Sequence, residues 1–290
     1  MKKVLITGCS GYIGSHLCKH LHGKYELYGI DFIDNEDSTQ YLKYYSWRNI
    51  YNINESSLTN IDFDTVIHLA AVVRVNESMD YPTLYYKNNI QGTMNIVKYL
   101  KYKNFIFSST GAAENPISPY ARSKLCCEDI VNEYCKYYKA NHTIFRFYNV
   151  IGSDGFKPTN IDGLFYNLMK ARETGEFNLY GKNYNTKDGT PIRDYIHVME
   201  VCHAIEEAIE NPSINPIENL GHGVGYTVQE MVDAFKVANH CDFKVNYLRR
   251  REGDLESTVL DNPSKYMKNL YTIDEMLKIN EDESTTTKQS

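Results

Sequence analysis

The stretch TGCSGYIGSH, Thr7–His16, follows directly after the apolar run Val4–Ile6 near the start of this 290-residue chain. Its glycines, Gly8, Gly11 and Gly14, recur every three residues where a strand would turn into a helix. The first tolerates a positive φ, the second lets a diphosphate approach the backbone, and the third lets helix and strand pack closely. A plain tight turn would also use glycine, but the N–H groups of a helix N-terminus attract anions, and the pattern favours a dinucleotide site.

Short apolar runs and longer helical patterns alternate along the first half of the chain. Alternation of this kind predicts a parallel sheet with helices on both faces, a Rossmann-type doubly wound α/β fold. The predicted strands are Lys3–Thr7, Glu26–Ile30, Thr65–Leu69, Phe105–Ser108 and Thr143–Phe147, and the predicted helices are Tyr12–His22, Pro82–Leu100 and Ser118–Tyr138.

Beyond Gly152 the alternation gives way to loops and separate helices, which predicts a second, smaller lobe of mixed structure. We expect a dinucleotide-binding domain over residues 1–152 with a return segment near 190–211, in which Arg193–His197 crosses back into the sheet. The discontinuous lobe for the substrate covers residues 153–280. The last ten residues, EDESTTTKQS, have no apolar anchors and are predicted to form a disordered tail, 281–290.

Composition and charge exclude several classes of partner. The formal net charge is −6 and there is no run of five basic residues, which gives no basic surface for nucleic acid or an anionic membrane. Seven cysteines without a C-x-x-C pair predict neither a zinc site nor a disulfide framework, so no metal is expected. The apolar stretch after Met1 is too short for a signal peptide and no later run is long enough to span a bilayer. These observations predict a cytoplasmic protein with a small-molecule partner.

Asp31 follows the second predicted strand, 23 residues after Gly8. An acidic residue at that place accepts hydrogen bonds from a ribose 2′-hydroxyl and repels a 2′-phosphate, which favours NAD over NADP. The alternative is that Asp31 only caps a turn.

The segment Tyr120–Lys124, YARSK, places a phenol and an ammonium four residues apart on one helix face. At about 6 Å and an effective dielectric near 20, the ammonium would favour the phenolate by roughly 3 kcal/mol, or about two pKa units. A nicotinamide cation would add to this effect, and such a tyrosine could remove a hydroxyl proton near neutral pH.

The same spacing occurs in Tyr99–Lys103 and Tyr166–Lys170, so the pattern alone is weak. Only Tyr120 follows a predicted strand that ends in hydroxyl residues, Ser108–Thr110. The carboxyl ends of parallel strands are where ligands bind in such sheets, and Tyr120 is therefore the candidate catalytic residue.

Longer motifs resemble the extended short-chain dehydrogenase/reductases and, among them, the UDP-glucose (galactose) 4-epimerases. The resemblance leaves out only residues 35–60 and the tail, and its most specific part is the stretch 179–201. The motifs are TGCSGYIGSH, DTVIHLAA (64–71), YYKNNIQGT (85–93), NFIFSST (104–110), SPYARSK (118–124), FRFYNVIG (145–152), LYGKNYNTKDGTPIRDYIHVMEV (179–201), ENLGHGVGYTV (218–228) and RREGD (250–254).

The resemblance implies an NAD-dependent epimerisation at C4 of a UDP-hexose through a transient 4-keto sugar. Tyr120 would take the 4-hydroxyl proton, Thr110 would relay it, and Lys124 would lower the pKa of the phenol and hold the nicotinamide ribose. It also implies a homodimer through the helices near 82–100 and 118–138. The implied cofactor residues are Gly8, Gly11, Tyr12, Ile13, Gly14, Asp31, Asn52, Ile53, Leu69, Ala70, Ala71, Asn88, Ser108, Tyr120, Lys124 and Tyr148.

The implied substrate residues are Thr110, Asn149, Leu164, Arg193, Arg251, Asp254 and Thr258. The guanidinium groups would bind the diphosphate, and Asp254 would bind the uridine ribose. The alternatives without a ligand are a solvated basic face at 249–251 and a structural ion pair between Arg193 and Asp194. His68, in an apolar strand, is expected to be a core histidine without a role in ligand binding.

The sequence departs from the epimerase pattern at several positions, and these departures leave more than one substrate and function possible. The segment between Thr110 and Tyr120 is much shorter than in the family, which should open the sugar pocket. Thr258 stands where some epimerases have tyrosine, which leaves room for a 2-acetamido group, so both UDP-Glc/UDP-Gal and UDP-GlcNAc/UDP-GalNAc remain candidate substrates. A nucleotide-sugar 4,6-dehydratase and a non-catalytic NAD or nucleotide-sugar binding protein are the alternative functions.

Overall fold

The computed structural model describes residues 1–251, 254–268 and 271–279. The first seven strands and six helices are β1 (Lys3–Thr7), α1 (Tyr12–Leu21), β2 (Glu26–Asp31), α2 (Glu36–Thr39), β3 (Tyr44–Trp47), β4 (Asp62–His68), α3 (Val75–Asp80), α4 (Pro82–Tyr85), α5 (Gly92–Tyr99), β5 (Lys101–Thr110), α6 (Pro119–Tyr138), β6 (Asn141–Phe147) and β7 (Asn149–Ile151). They are followed by α7 (Leu164–Thr174), β8 (Glu176–Tyr180), β9 (Ile192–His197), α8 (Val198–Glu210), β10 (Ile217–Leu220), β11 (Gly225–Thr227), α9 (Val228–Ala238), β12 (Lys244–Leu248), β13 (Ser257–Thr258) and α10 (Ile273–Leu277). A π-helical segment, Tyr86–Gln91, joins α4 to α5, which accounts for the single helix predicted over 82–100.

The chain divides into two compact units, and the first comprises residues 1–147 and 202–220. Its sheet has seven strands in the order β10-β6-β5-β4-β1-β2-β3, and every pairing is parallel. The strand order reverses between β1 and β4, which is where doubly wound sheets bind their ligands. The predicted fold class is confirmed.

An apolar core supports this sheet because its central strands carry large side chains that are inaccessible to solvent. Leu5, Val66 and Phe105 of β1, β4 and β5 are fully buried, and Ile96 of α5 and Val131 of α6 pack into the same cluster. Burial of both faces is typical of a parallel sheet covered by helices and explains why these strands read as continuous apolar runs.

The second unit comprises residues 148–201 and the described residues from 221 onward. Its central strand β9 pairs with β11 antiparallel and with β13 and β7 parallel, and β8 pairs separately with β12. Phe165, Leu168 and Phe235 of α7 and α9 form the centre of its apolar core.

The expectation that Arg193–His197 returns to the main sheet is wrong. This segment is β9 of the second unit, and β10 is the strand that extends the seven-stranded sheet beside β6. The reason lies in Asp194, whose fully buried carboxylate accepts hydrogen bonds from the backbone N–H groups of His222, Gly223 and Leu260. These bonds require β9 to lie among segments of its own unit. The predicted tail, 281–290, lies outside the described residues.

Candidate active site

The glycine loop between β1 and α1 has the geometry that its sequence predicts. Gly8 has a φ of +74°, and a Cβ on it would lie 2.7 Å from the backbone N of Ala70. A Cβ on Gly14 would lie only 2.0 Å from the carbonyl oxygen of Gly8, so close packing of α1 on the loop demands glycine there. At Gly11 a Cβ would meet the Gly8 carbonyl oxygen at 3.3 Å and no second atom within 4 Å, which leaves the start of α1 open to an approaching anion.

Asp31 ends β2 beside this loop and is nearly buried. Its Oδ2 accepts a hydrogen bond from the N–H of Ser10 at 3.0 Å and its Oδ1 one from the N–H of Ile33 at 3.1 Å. Burial raises the pKa of this carboxyl, while the backbone hydrogen bonds lower it. Each carboxylate oxygen can accept a further hydrogen bond, so Asp31 fits the ribose diol of a dinucleotide at the edge of the glycine loop.

The other predicted cofactor residues of the first unit lie in several segments. Tyr12 and Ile13 begin α1, Leu69–Ala71 follow β4, and the N–H of Ala70 donates to the hydroxyl of Thr7. The hydroxyl of Ser108 donates to the backbone carbonyl of His68 at 3.1 Å.

Two predicted adenine contacts differ in their surroundings. Asn52 is exposed in a 3-10 helix, Ile50–Glu55, but Ile53 is fully buried in the apolar core. The side chain of Ile53 therefore packs inward, and Asn52 offers the polar group. Asn88 accepts a hydrogen bond from the hydroxyl of Tyr51, and Tyr148 belongs to the second unit.

Tyr120 and Lys124 lie in the first two turns of α6, which begins at a cap formed by Ser118. The hydroxyl of Ser118 accepts a hydrogen bond from the N–H of Ala121, and Pro119 occupies the first helical position. Thr110 is the last residue of β5, and its hydroxyl lies close enough to the phenol of Tyr120 to lower the pKa of that phenol. Strand end, short connection and helix cap thus bring the three predicted catalytic residues into one neighbourhood.

The electrostatics of this group differ from the sequence-based expectation. Burial raises the pKa of Tyr120 to about 12, and the polar side chain of Thr110, rather than the charge of Lys124, is what opposes this rise. Burial also lowers the pKa of Lys124 to about 8, although the carboxylate of Glu128 works against it. The ammonium of Lys124 lies 4.3 Å from the centre of the Phe107 ring. In the protein without ligands, the contribution that was expected from Lys124 therefore does not lower the pKa of the phenol.

A buried charged cluster that the sequence analysis missed holds β5 against α6. Glu128, nearly inaccessible to solvent, accepts a hydrogen bond from the hydroxyl of Ser109, the neighbour of Thr110. Arg146 of β6 donates to both oxygens of Glu128, at 2.9 and 2.7 Å. The signal was the spacing Tyr120, Lys124, Glu128, which places all three on one face of α6.

His68 is a core histidine, as predicted. Its ring nitrogens contact the hydroxyls of Thr7 and Thr93 at 2.7 and 3.0 Å, and burial together with the charge of Lys124 lowers its pKa to about 3. A neutral imidazole with both nitrogens engaged is structural.

A cavity of about 290 Å³ in the second unit collects most of the predicted substrate residues. Its wall also contains residues that the sequence analysis did not single out, among them Phe177 and Tyr180 of β8. The predicted residues that line it are Asn149, Leu164, Arg193, Arg251 and Asp254.

Both positively and negatively charged side chains line this cavity. The guanidinium of Arg193 pairs with the carboxylate of Asp254 at 2.6 Å, and that of Arg251 lies 4.1 Å from the centre of the Tyr180 ring. The alternative that Arg193 pairs with Asp194 is wrong, because Asp194 is held by backbone N–H groups. Guanidinium groups beside aromatic rings suit a nucleotide diphosphate and its base. Thr258 lies in β13 beside Arg193 but is not among the residues that line the cavity.

Comparisons with known proteins agree with this geometry. The sequence profile of the NAD dependent epimerase/dehydratase family matches residues 4–221. This chain belongs to that family. A UDP-glucose 4-epimerase from Rhizobium meliloti (strain 1021) is 31% identical, with 89% of this chain and 88% of the relative covered.

Two solved structures are similar to this chain in fold. UDP-glucose 4-epimerase from Bifidobacterium longum, in complex with NAD+ and UDP, superposes with a TM-score of 0.85 at 27% identity, over 95% of this chain and 96% of that one. The UDP-Glc/GlcNAc 4-epimerase from Campylobacter jejuni gives a TM-score of 0.80 at 27% identity, over 96% and 97%. Family membership and this likeness confirm the resemblance that the motifs indicated.

Proposed function

We propose that this member of the epimerase/dehydratase family is an NAD-dependent 4-epimerase of UDP-hexoses. The observation that carries the proposal is the group Thr110, Tyr120 and Lys124, assembled at the carboxyl end of β5 in the same unit as the glycine loop and Asp31. NAD is the cofactor that these residues fit, and when bound it accepts a hydride from the sugar and returns it.

Side chains of the protein carry out the proton transfer. The phenol oxygen of Tyr120 takes the proton from the 4-hydroxyl, and the hydroxyl of Thr110, which lies near that phenol, relays it. Because burial raises the pKa of Tyr120, the free protein holds it as a neutral phenol, and positive charge brought close to it would favour the phenolate. Once the 4-keto sugar has turned, return of the hydride to the opposite face of C4 would invert that centre, and the proton would go back from Tyr120 to the C4 oxygen.

The second-unit cavity supports a UDP-sugar as the substrate. Arg193 and Arg251 supply the cationic donors for a diphosphate, and Asp254 supplies acceptors for ribose hydroxyls. Since the family resemblance puts Thr258, a small side chain, where some epimerases have tyrosine, we propose UDP-Glc/UDP-Gal and UDP-GlcNAc/UDP-GalNAc as the substrate pairs to compare. The relative from C. jejuni is named for both.

Dehydration is disfavoured because no acidic residue directly follows Thr110 in the sequence. A dehydratase needs an acid close to the hydroxyl that it expels, but Gly111 and Ala112 follow Thr110. Glu114, further on, accepts a hydrogen bond from Asn219 at 3.0 Å and lies 3.7 Å from Arg146.

We also propose a homodimer in the cytoplasm. Leu84, Tyr86, Met94 and Tyr99, on the stretch from α4 to α5, are large apolar or aromatic residues that are exposed, as expected of an interface. All seven cysteines are free thiols, which suits a reducing compartment. No helix among the described residues has the length and apolarity to cross a membrane.

The test is conversion of UDP-Gal and UDP-GalNAc by the purified protein, followed by chromatography of the products. We expect Tyr120→Phe to lose about 10²- to 10⁴-fold in kcat because the phenol oxygen is the proton acceptor. Tyr166→Phe is the matched control, since Tyr166 has the same spacing to a lysine but lies half-buried on α7 and does not line the cavity. NAD bound without turnover of any of the four sugars would identify a binding protein, and a 4-keto-6-deoxy product would identify a dehydratase.

A further inference from the structure

Two helices of the first unit bring together three metal-binding side chains that no step of the proposed function uses. His20 lies in the last turn of α1, and His203 and Glu206 lie on α8. One ligand atom from each, two imidazole nitrogens and a carboxylate oxygen, lie within 4.8 Å of one another. None of the three residues is buried, so an ion could enter from solvent.

The geometry is close to that of a three-ligand site. His203 and Glu206 are three residues apart and therefore neighbours on the same helix face. His20 contacts Glu206 at 2.6 Å, and its ring meets that of His203 edge to face with the centres 4.6 Å apart. Two imidazoles and one carboxylate, with a fourth position open for water, form a donor set that Zn²⁺ binds with bonds of about 2.0–2.2 Å.

We propose that His20, His203 and Glu206 bind one divalent transition-metal ion, for which Zn²⁺ is the natural probe. The ion would link the end of α1 to α8 and stabilise the first unit. Lys24 is the competitor, because its ammonium lies 2.9 and 3.0 Å from the two oxygens of Glu206 and neutralises the carboxylate that the ion needs. This metal site shares no residue with the proposed epimerase site.

The experiment uses the full chain without an affinity tag, freed of metal with a chelator, and titrated with Zn²⁺ by calorimetry and with Co²⁺ by visible absorption. We expect one Zn²⁺ per chain and a rise in melting temperature. His203→Ala, which removes an accessible ligand, should weaken binding by about 10- to 100-fold and abolish the rise. His22→Ala, an exposed histidine one residue beyond α1, is the control and should bind as the unchanged protein does.

A second variant tests the competitor. Lys24→Met removes the ammonium while keeping an unbranched side chain, and we expect it to tighten Zn²⁺ binding because Glu206 is released. Equal binding by the unchanged protein and His203→Ala would overturn the site, since the metal would then be held elsewhere, for instance by cysteines. Unchanged affinity in Lys24→Met would overturn Glu206 as a ligand.

Discussion

At the scale of single residues, the site is governed by burial acting on ionisable groups. Tyr120 and Lys124 are both enclosed, so burial opposes the charged form of each and moves their pKa values in opposite directions. The charged ligand pair of a nicotinamide cofactor and a nucleotide diphosphate would change this balance. In the free protein, the side chain of Tyr120 is therefore a neutral phenol at pH 7.

Lys124 carries a stability cost that depends on pH. Its pKa falls from 10.5 to about 8 on folding, so between these values the unfolded chain binds more protons and stability rises with pH. We expect Lys124→Met to be more stable than the unchanged protein at pH 7, with the gap in unfolding free energy narrowing by about 1 kcal/mol from pH 7 to pH 9.

Urea denaturation at pH 7, 8 and 9 measures this gap. Lys98→Met, at a lysine exposed on α5, is the control for replacing a lysine by methionine. A constant gap for Lys124→Met would contradict a lowered pKa.

At the scale of elements, the glycine loop and α6 are the parts whose local structure decides function. Gly14→Ala would place a methyl carbon 2.0 Å from the carbonyl oxygen of Gly8, and α1 would have to move away from the loop. We expect NAD affinity to fall by at least about tenfold, because the N–H groups that face the anion would shift. Fluorescence titration with NAD measures the effect.

Gly23→Ala is the control for this change. A Cβ on Gly23 meets no atom within 4 Å, although the residue has a φ of +77°. It should lose about 1 kcal/mol of stability to backbone strain and keep its affinity for NAD. Equal loss of NAD affinity in both variants would show that the close contact at Gly14 is not what matters.

Glu128 joins three elements, since it binds Ser109 of β5 and Arg146 of β6 from its place on α6. We expect Glu128→Gln to lower the unfolding free energy by about 3 kcal/mol, because Arg146 keeps its charge in a nearly closed site. It should also lower kcat more than it raises KM, since β5 and α6 carry Thr110 and Tyr120.

Glu133→Gln, at an exposed position of the same helix, should leave both quantities unchanged. Chemical denaturation and steady-state kinetics provide the comparison. A Glu128→Gln protein with ordinary kcat would limit Glu128 to a structural role.

At the scale of the whole molecule, the proposed homodimer would cover exposed apolar side chains between α4 and α5. Leu84 on α4 is 43% exposed and should lie in the interface. We expect Leu84→Asp to dissociate the dimer in sedimentation equilibrium while the monomer stays folded, because burying an unpaired carboxylate is costly. Val237→Asp is the control, as Val237 is 70% exposed on α9. A protein that is monomeric from the start would contradict the dimer.

The sequence by itself determined the features that depend on neighbours along the chain. Gly8, Gly11 and Gly14 predicted the loop, the alternation of apolar runs and helical patterns predicted the parallel sheet, and Ser118 with Pro119 begins α6 where the motif required it. These features depend on local conformational preferences and on periodic burial, and both are determined by residues that are close together in the sequence.

Only the tertiary structure decided which distant groups meet. In the folded protein β10, and not β9, is the seventh strand of the main sheet. Arg193 pairs with Asp254, 61 residues further along the chain, and His20 contacts Glu206, 186 residues further along. The tertiary structure also reversed the expected acidity of Tyr120, because a pKa depends on desolvation and on the direction of every nearby charge. Spacing in the sequence specifies distance along one element but not the solvent that folding removes around a group.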